Sequence, residues 1–255
     1  LKDHLNRLSE TTKMYKTEIP YSIEELIEGI EGVIKANNLK SAYIRPIIYR
    51  GVGSLGLNPR VCPVEVSLSA WEWGAYLGKE GNENGIRAQI SSWRRPAPDT
   101  LPALAKAGGM YLSSQLIKME ALDNGFAEGI ALDYFGNLSE GSGENIFIVK
   151  DQTLYTPTAA SSLLAGITRD TVMYLAKELQ YEIKEQVVPR EFLYIADEVF
   201  LTGTAAEVTP VVEIDHMKID SGKRGAITKS IQDSYLDLVT GNYPKAVAEW
   251  LHIVK

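Results

Sequence analysis

Cysteine is nearly absent from the chain. Cys62 is the only one among 255 residues, so no disulfide can form within the chain, a usage that fits a reducing compartment and predicts a cytoplasmic protein. Histidine is scarce too: His4, His216 and His252 are scattered, with no pair at metal-ligand spacing. Zinc chemistry and a cysteine–histidine nucleophile therefore find no support in the pattern, and no metal is expected. Long apolar runs are missing, and the pattern predicts neither a membrane-spanning segment nor a signal peptide. Positive charge is in deficit, with 26 Lys and Arg against 33 Asp and Glu and a net charge of −7. That balance argues against general nucleic-acid binding. No internal repeat or low-complexity tract breaks the chain. The remainder is ordinary for a globular protein, 45% hydrophobic and 23% charged, long enough for one large domain or two modest ones.

Periodicity places the first elements. Leu1, Leu5, Leu8 and Tyr15, with Thr12 continuing the period, mark one face of a helix that carries Arg7. Ser22-Ile23-Glu24-Glu25 has the form of a capping box opening a second helix that runs to Asn37-Asn38. Residues 42–50 alternate like a strand, with Tyr43, Arg45, Ile47 and Tyr49 on one face. Tyr and Arg two apart on a strand point the same way, an arrangement suited to gripping an anion, although an exposed edge strand holding Pro46 gives the same pattern. After a loop over 51–62, Val64, Val66 and Leu68 form a partner strand. Trp71 to Gly78 and the polar stretch 81–85 then read as an interdomain connection whose aromatics could line a pocket or simply pack.

In the second half, strands are expected at 86–91 and 128–133. A tight polar turn is expected at Glu140 to Asn145, and a hairpin of 145–150 with 153–156. Gly166-Ile167-Thr168 opens a helix through Leu179. A strand over 198–202 ends in Gly203-Thr204-Ala205-Ala206-Glu207, and Ile227, Ile231, Tyr235 and Leu238 mark a last helix. Three of these features carry chemistry. Lys106 stands among small residues just before two glycines, at the start of a helix whose apolar face is Leu112, Leu116, Met119 and Leu122. A lysine in a crowded apolar setting loses its charge easily and can attack a carbonyl or hold a carbonyl cofactor, although a lone lysine beside a loop is more often simply solvated. The Gly166 and Gly203 turns each offer backbone N–H groups and a hydroxyl, which suit a phosphate or carboxylate, while plain N-capping explains either one alone. Two such turns, an amine and an acid at Glu140 together suggest a cofactor with phosphate, carbonyl and basic ring nitrogen, and pyridoxal 5'-phosphate has all three.

The chain resembles the class IV (fold type IV) pyridoxal-phosphate aminotransferases, and most closely the bacterial branched-chain type. The resemblance rests on Glu140-x-Ser142-x-x-Asn145-Ile146-Phe147, Leu154-x-Thr156 and Leu164-x-Gly166-Ile167-x-Arg169. It continues through Tyr43-Ile44-Arg45-Pro46, Trp73-Gly74-Ala75-Tyr76-Leu77-Gly78, Ala105 to Gly109 and Asp197 to Phe200. It implies an α/β (α+β) fold with a small α/β domain at 1–70, a connection at 71–84 and a larger cofactor-binding domain with a barrel-like β core at 85–255. The activity implied is amino transfer between leucine, isoleucine or valine and 2-oxoglutarate. Within the family, a D-amino acid aminotransferase or an aminodeoxychorismate lyase would share Lys106 and Glu140, and a silent binding subunit would share the fold.

The resemblance also implies roles. Lys106 would carry the cofactor and shuttle the substrate proton, Tyr111 would meet the ring hydroxyl, and Glu140 would face the ring nitrogen. Arg7, Ile167, Thr168 and Thr204, with Gly203 in the same turn, would hold the phosphate. Tyr43 with the N–H groups of Thr204 and Ala205 would take the substrate α-carboxylate. Arg45 with Tyr76 would receive a γ-carboxylate, and Trp73 would line an apolar side-chain pocket. A homodimer or larger homo-oligomer acting on small-molecule substrates is implied, with no nucleic acid or membrane partner. Two features differ from the family pattern: its members carry roughly fifty further N-terminal residues, and Met110 stands where asparagine is expected.

Overall fold

In the computed structural model, which describes residues 1–74, 78–243 and 250–254, Ser22 opens its helix as a capping box should. Its hydroxyl accepts from the Glu25 N–H at 3.2 Å, and its own N–H donates to the Glu25 carboxylate at 2.7 Å. Two orphan donors of the first turn are thereby satisfied. The chain forms two units, Leu1–Gly74 with Val247–Lys255, and Ala75–Ala246.

The first unit holds α1 (Lys2–Met14), α2 (Ile23–Ala36), β1 (Tyr43–Arg50) and β2 (Val64–Trp71). The strands pair antiparallel, with Tyr43 opposite Trp71 and Arg50 opposite Val64. Leu5, Leu26 and Ile30 are buried against Ile44, Val66 and Leu68, so the helices cover one face of the hairpin. Arg45, Ile47 and Tyr49 occupy the other face and are exposed. Tyr15, expected on the inner face of α1, instead follows its last residue and is exposed.

The second unit is built on a nine-stranded sheet ordered β5-β4-β3-β10-β9-β6-β7-β8, with β11 pairing β10. In chain order it comprises α3 (Gly78–Asn84), β3 (Ile86–Arg94), α4 (Met110–Asp123), β4 (Glu128–Leu132), β5 (Leu138–Gly141), β6 (Asn145–Lys150) and β7 (Thr153–Thr156). There follow α5 (Ile167–Glu178), β8 (Ile183–Glu185), β9 (Glu198–Gly203), β10 (Glu207–Ile214), β11 (Met217–Lys218) and α6 (Ala226–Val239). Ile86, Ala88, Ile90, Ile130, Ile146, Ile148, Val199 and Leu201 form the main core. The expected β6–β7 hairpin is present, closed by Asp151 and Gln152, both at positive φ. A two-residue turn of that hand follows the twist of the strands.

Within the stretch expected as the interdomain connection, residues 78–84 form the helix α3. Four expectations are corrected. β3 runs on to Arg94, and α4 begins only at Met110, four residues beyond Lys106. Glu140 lies within β5 rather than in a turn. The inner face of α4 is Met110, Ser114, Ile117 and Ala121, while Leu112, Leu116, Met119 and Leu122 are exposed. Gly129 of β4 explains this last reversal: a Cβ there would lie 2.6 Å from Ile117 Cγ2 and 2.7 Å from its carbonyl oxygen. The helix backbone comes close to the sheet at Ile117, and the small Ser114 and Ala121 flank that residue on the inner face. Among the described residues, no helix is long and apolar enough to cross a membrane.

Candidate active site

Glu140 is the centre of the site. It points inward from β5, buried, and both carboxylate oxygens are engaged. Oε1 pairs with Arg95 Nη2 at 2.9 Å, and Oε2 accepts from Asn145 Nδ2 at 3.2 Å and from the Leu164 N–H at 3.0 Å. Loss of hydration pushes its pKa up to about 7, against the opposing pull of Arg95, the Leu164 N–H and the positive charge of Lys106. A carboxyl poised near neutrality can pair with a basic ring nitrogen and share its proton.

Lys106 donates from Nζ to the Tyr111 hydroxyl at 2.7 Å. It lies in the segment preceding α4, and Tyr111 is in that helix's first turn. Lys106 is exposed, contrary to the crowded apolar surroundings expected, although Ala105 and Met110 on either side are buried. Its amine therefore has access, and the phenol fixes its direction.

Both anion turns lie in the same unit as this pair. Gly166 is the N-cap of α5 and places Ile167 and Thr168 in the first turn, where no side chain caps the helix. Its N–H dipoles are positioned for a phosphate. Gly166 has to be glycine for steric reasons: a Cβ would come within 2.0 Å of Asn145 Oδ1, and that amide also donates to the Leu164 carbonyl at 2.8 Å. Thr168 is buried and shares a hydrogen bond with Tyr235. Gly203 ends β9, with Thr204 exposed and Ala205 half-buried in the turn that follows. An ideal Cβ at Gly203 would sit 3.7 Å from both Glu144 Cγ and the Gly143 carbonyl oxygen, which brings this turn against the segment that follows Glu140. Lys106, Tyr111, Glu140, Ile167, Thr168, Gly203, Thr204 and Ala205 thus belong to one unit.

Arg7, Tyr43, Arg45 and Trp73 belong to the other. Arg7 is half-buried on α1. Tyr43, Trp71 and Trp73 form an aromatic cluster with ring centroids 4.5–5.8 Å apart. The Arg45 guanidinium lies 5.2 Å from the Tyr43 and Trp71 centroids and 6.0 Å from that of Trp73. Stacking of this kind holds an arginine while leaving its N–H edge for a carboxylate. Tyr76 lies outside the described residues.

Sequence pattern misses Arg95, the ion-pair partner of Glu140, because nothing in Trp93-Arg94-Arg95-Pro96 separates an inward arginine from a surface pair. Glu144 is a second buried acid. Burial and the nearby charge of Glu128 push its pKa up to about 8, and Glu128 is itself fully buried and paired with Lys118 at 2.7 Å.

The family model for amino-transferase class IV matches residues 1–214. The branched-chain-amino-acid aminotransferase of Escherichia coli (strain K12) is 52% identical over 241 residues, covering 94% of this chain and 78% of the relative. A crystal structure of the Escherichia coli branched-chain amino acid aminotransferase superposes with a TM-score of 0.97 at 50% identity, covering 100% of this chain and 84% of that one. The branched-chain amino acid aminotransferase from Thermobaculum terrenum, in its PLP-form (holo-form), superposes with a TM-score of 0.93 at 33% identity, covering 100% and 82%. By its family match, its fold and these relatives, the chain belongs to the class IV aminotransferases.

Proposed function

We propose that the chain transfers the amino group between leucine, isoleucine or valine and 2-oxoglutarate, with pyridoxal 5'-phosphate as cofactor. The observation that carries the cofactor assignment is the Glu140 carboxylate, buried yet fully engaged and poised near neutrality. Such a group matches a pyridine nitrogen, as an uncapped helix start matches a phosphate and the Lys106–Tyr111 pair matches a carbonyl beside a ring hydroxyl. Identity of 52% to the Escherichia coli branched-chain enzyme supports the choice of substrates.

When bound, the cofactor supplies a carbonyl that takes the amino group and a protonated ring that stores the electron pair of the substrate α-carbon. Lys106 would hold it and, once released, carry the proton to and from that carbon through Nζ. Tyr111 would orient the ring through its hydroxyl and steady the lysine amine. Glu140 would keep the ring nitrogen protonated by charge pairing. Arg7, the backbone N–H of Ile167, and Thr168 and Thr204 would hold the phosphate, with Gly203 allowing close approach. Tyr43 and the N–H groups of Thr204 and Ala205 would bind the α-carboxylate. Arg45, with Tyr76, would receive the γ-carboxylate of glutamate, and Trp73 would supply apolar wall for leucine. A homo-oligomer is the proposed working form. Lys106→Ala tests the assignment: amino transfer should vanish and the cofactor should dialyse away, whereas a variant that retains both would remove Lys106 from the reaction.

A further inference from the structure

Arg95 follows the last residue of β3 and is 5% exposed, and its guanidinium is spread over three separate segments of the site. Nη2 meets Glu140 at 2.9 Å. Nη1 donates to the Ser114 hydroxyl of α4 at 3.4 Å, one helical turn beyond Tyr111. Nε donates to the Ser162 carbonyl at 3.3 Å, in the stretch leading through Leu164 to Gly166. Ser162 itself adopts the left-handed conformation, φ 60°, which turns the chain so that the Leu164 N–H reaches Glu140. One planar fork therefore ties together the acid, the helix bearing Tyr111 and the approach to the α5 N-terminus.

We propose that Arg95 is a positioning residue for the amino-transfer reaction, favouring the ionised form of Glu140 and orienting it while locking the Tyr111 helix and the 162–166 segment onto it. The inference deepens the function proposed above and rests on it. A lysine could supply the charge but not the fork. Other charged groups around Glu140 are Lys106 ahead of α4 and Glu144 ahead of β6, with Glu128 and Lys118 beyond Glu144. The Arg95 guanidinium is in direct contact with the carboxylate and opposes its protonation more strongly than Lys106 does, so its removal should dominate the acid's titration.

The test uses Arg95→Met and Arg95→Lys, each read first without cofactor. Infrared titration follows the protonated carboxyl of Glu140, identified by the band that Glu140→Gln deletes. Removing the adjacent guanidinium should raise the midpoint by roughly 1–3 pH units in Arg95→Met, and Arg95→Lys should restore most of that shift. Amide hydrogen exchange over residues 106–114 and 162–166 should quicken in both variants, because neither has the fork. With cofactor and leucine, Arg95→Met should lose rate in the half-reaction with its pH profile displaced upward, rather than only raising KM. An unmoved Glu140 midpoint in Arg95→Met, or unchanged exchange in both variants, overturns the proposal. Should Arg95→Met fail to fold, Arg95→Lys decides alone: wild-type exchange in both segments would overturn the locking role. If the wild-type chain itself transfers no amino group, the proposed function fails, while the cofactor-free measurements still decide what Arg95 does.

Discussion

Gly166→Ala perturbs the phosphate turn without touching a charge, and its cost can be worked from the geometry. The new methyl would sit 2.0 Å from Asn145 Oδ1, so the amide has to move by about 1 Å or more to reach a tolerable contact. Asn145 cannot swing freely, since Nδ2 bridges the Glu140 carboxylate at 3.2 Å and the Leu164 carbonyl at 2.8 Å. Losing a bond to a charged group costs about 1.5–3 kcal/mol and a neutral one about 0.5–1.5 kcal/mol, giving a penalty of about 2–4.5 kcal/mol. The same displacement strips Glu140 of a donor and shifts the first turn of α5, so cofactor affinity should fall with stability. Urea unfolding of the cofactor-free chain and equilibrium dialysis against pyridoxal phosphate read the two effects. Gly203→Ala is the control, because its methyl meets nothing closer than 3.7 Å and should cost little stability. Adding Asn145→Ala should relieve the clash, so the double variant loses less than the two single losses combined. Wild-type stability and affinity in Gly166→Ala would refute the steric argument, and strict additivity would place the damage elsewhere.

Glu140→Gln should keep the fold and bind cofactor, yet slow the leucine half-reaction about a hundredfold or more, as removal of a preorganised charge does. An unchanged single-turnover rate would contradict the assigned role. Arg45→Ala should weaken the glutamate half-reaction by about 1.5–3 kcal/mol and leave leucine nearly unaffected; equal losses in kcat/KM for both donors would assign Arg45 to the fold or to the α-carboxylate. The cofactor-free chain should lose stability as pH rises. The folded-state pKa values of Glu140 and Glu144, about 7 and about 8, lie above the ordinary carboxylate value, so the folded state binds the extra protons. Their contribution is complete below the unfolded pKa and is lost as pH passes through about 7 and then about 8. Thermal midpoints that rise over that range would reverse the sign and refute the burial argument.

Local signals are legible in the sequence. The Ser22–Glu25 capping box, the 145–156 hairpin and the glycine at the head of α5 are each set by neighbours within a few residues. The inner face of α4 is not legible, because the four large apolar residues lie on the outer side. The close approach at Gly129, a residue from another strand, selects Ser114, Ile117 and Ala121 instead. A glycine-flanked setting points to Lys106 but not to its exposure, since that depends on what folds around the 101–109 segment. Arg95 is invisible for the same reason. Its partner Glu140 lies 45 residues away, and the register of β3, β4 and β5 brings the two together.

The most direct test of the account is amino transfer itself. The purified chain, given pyridoxal 5'-phosphate, isotopically labelled leucine, isoleucine or valine, and 2-oxoglutarate, is followed by mass spectrometry, with labelled D-alanine run alongside. The label should pass from each branched-chain donor into glutamate with the matching branched 2-oxo acid released, and D-alanine should donate little. Label passing from D-alanine and not from the branched-chain donors, or from none of them while the cofactor is bound, would contradict the account.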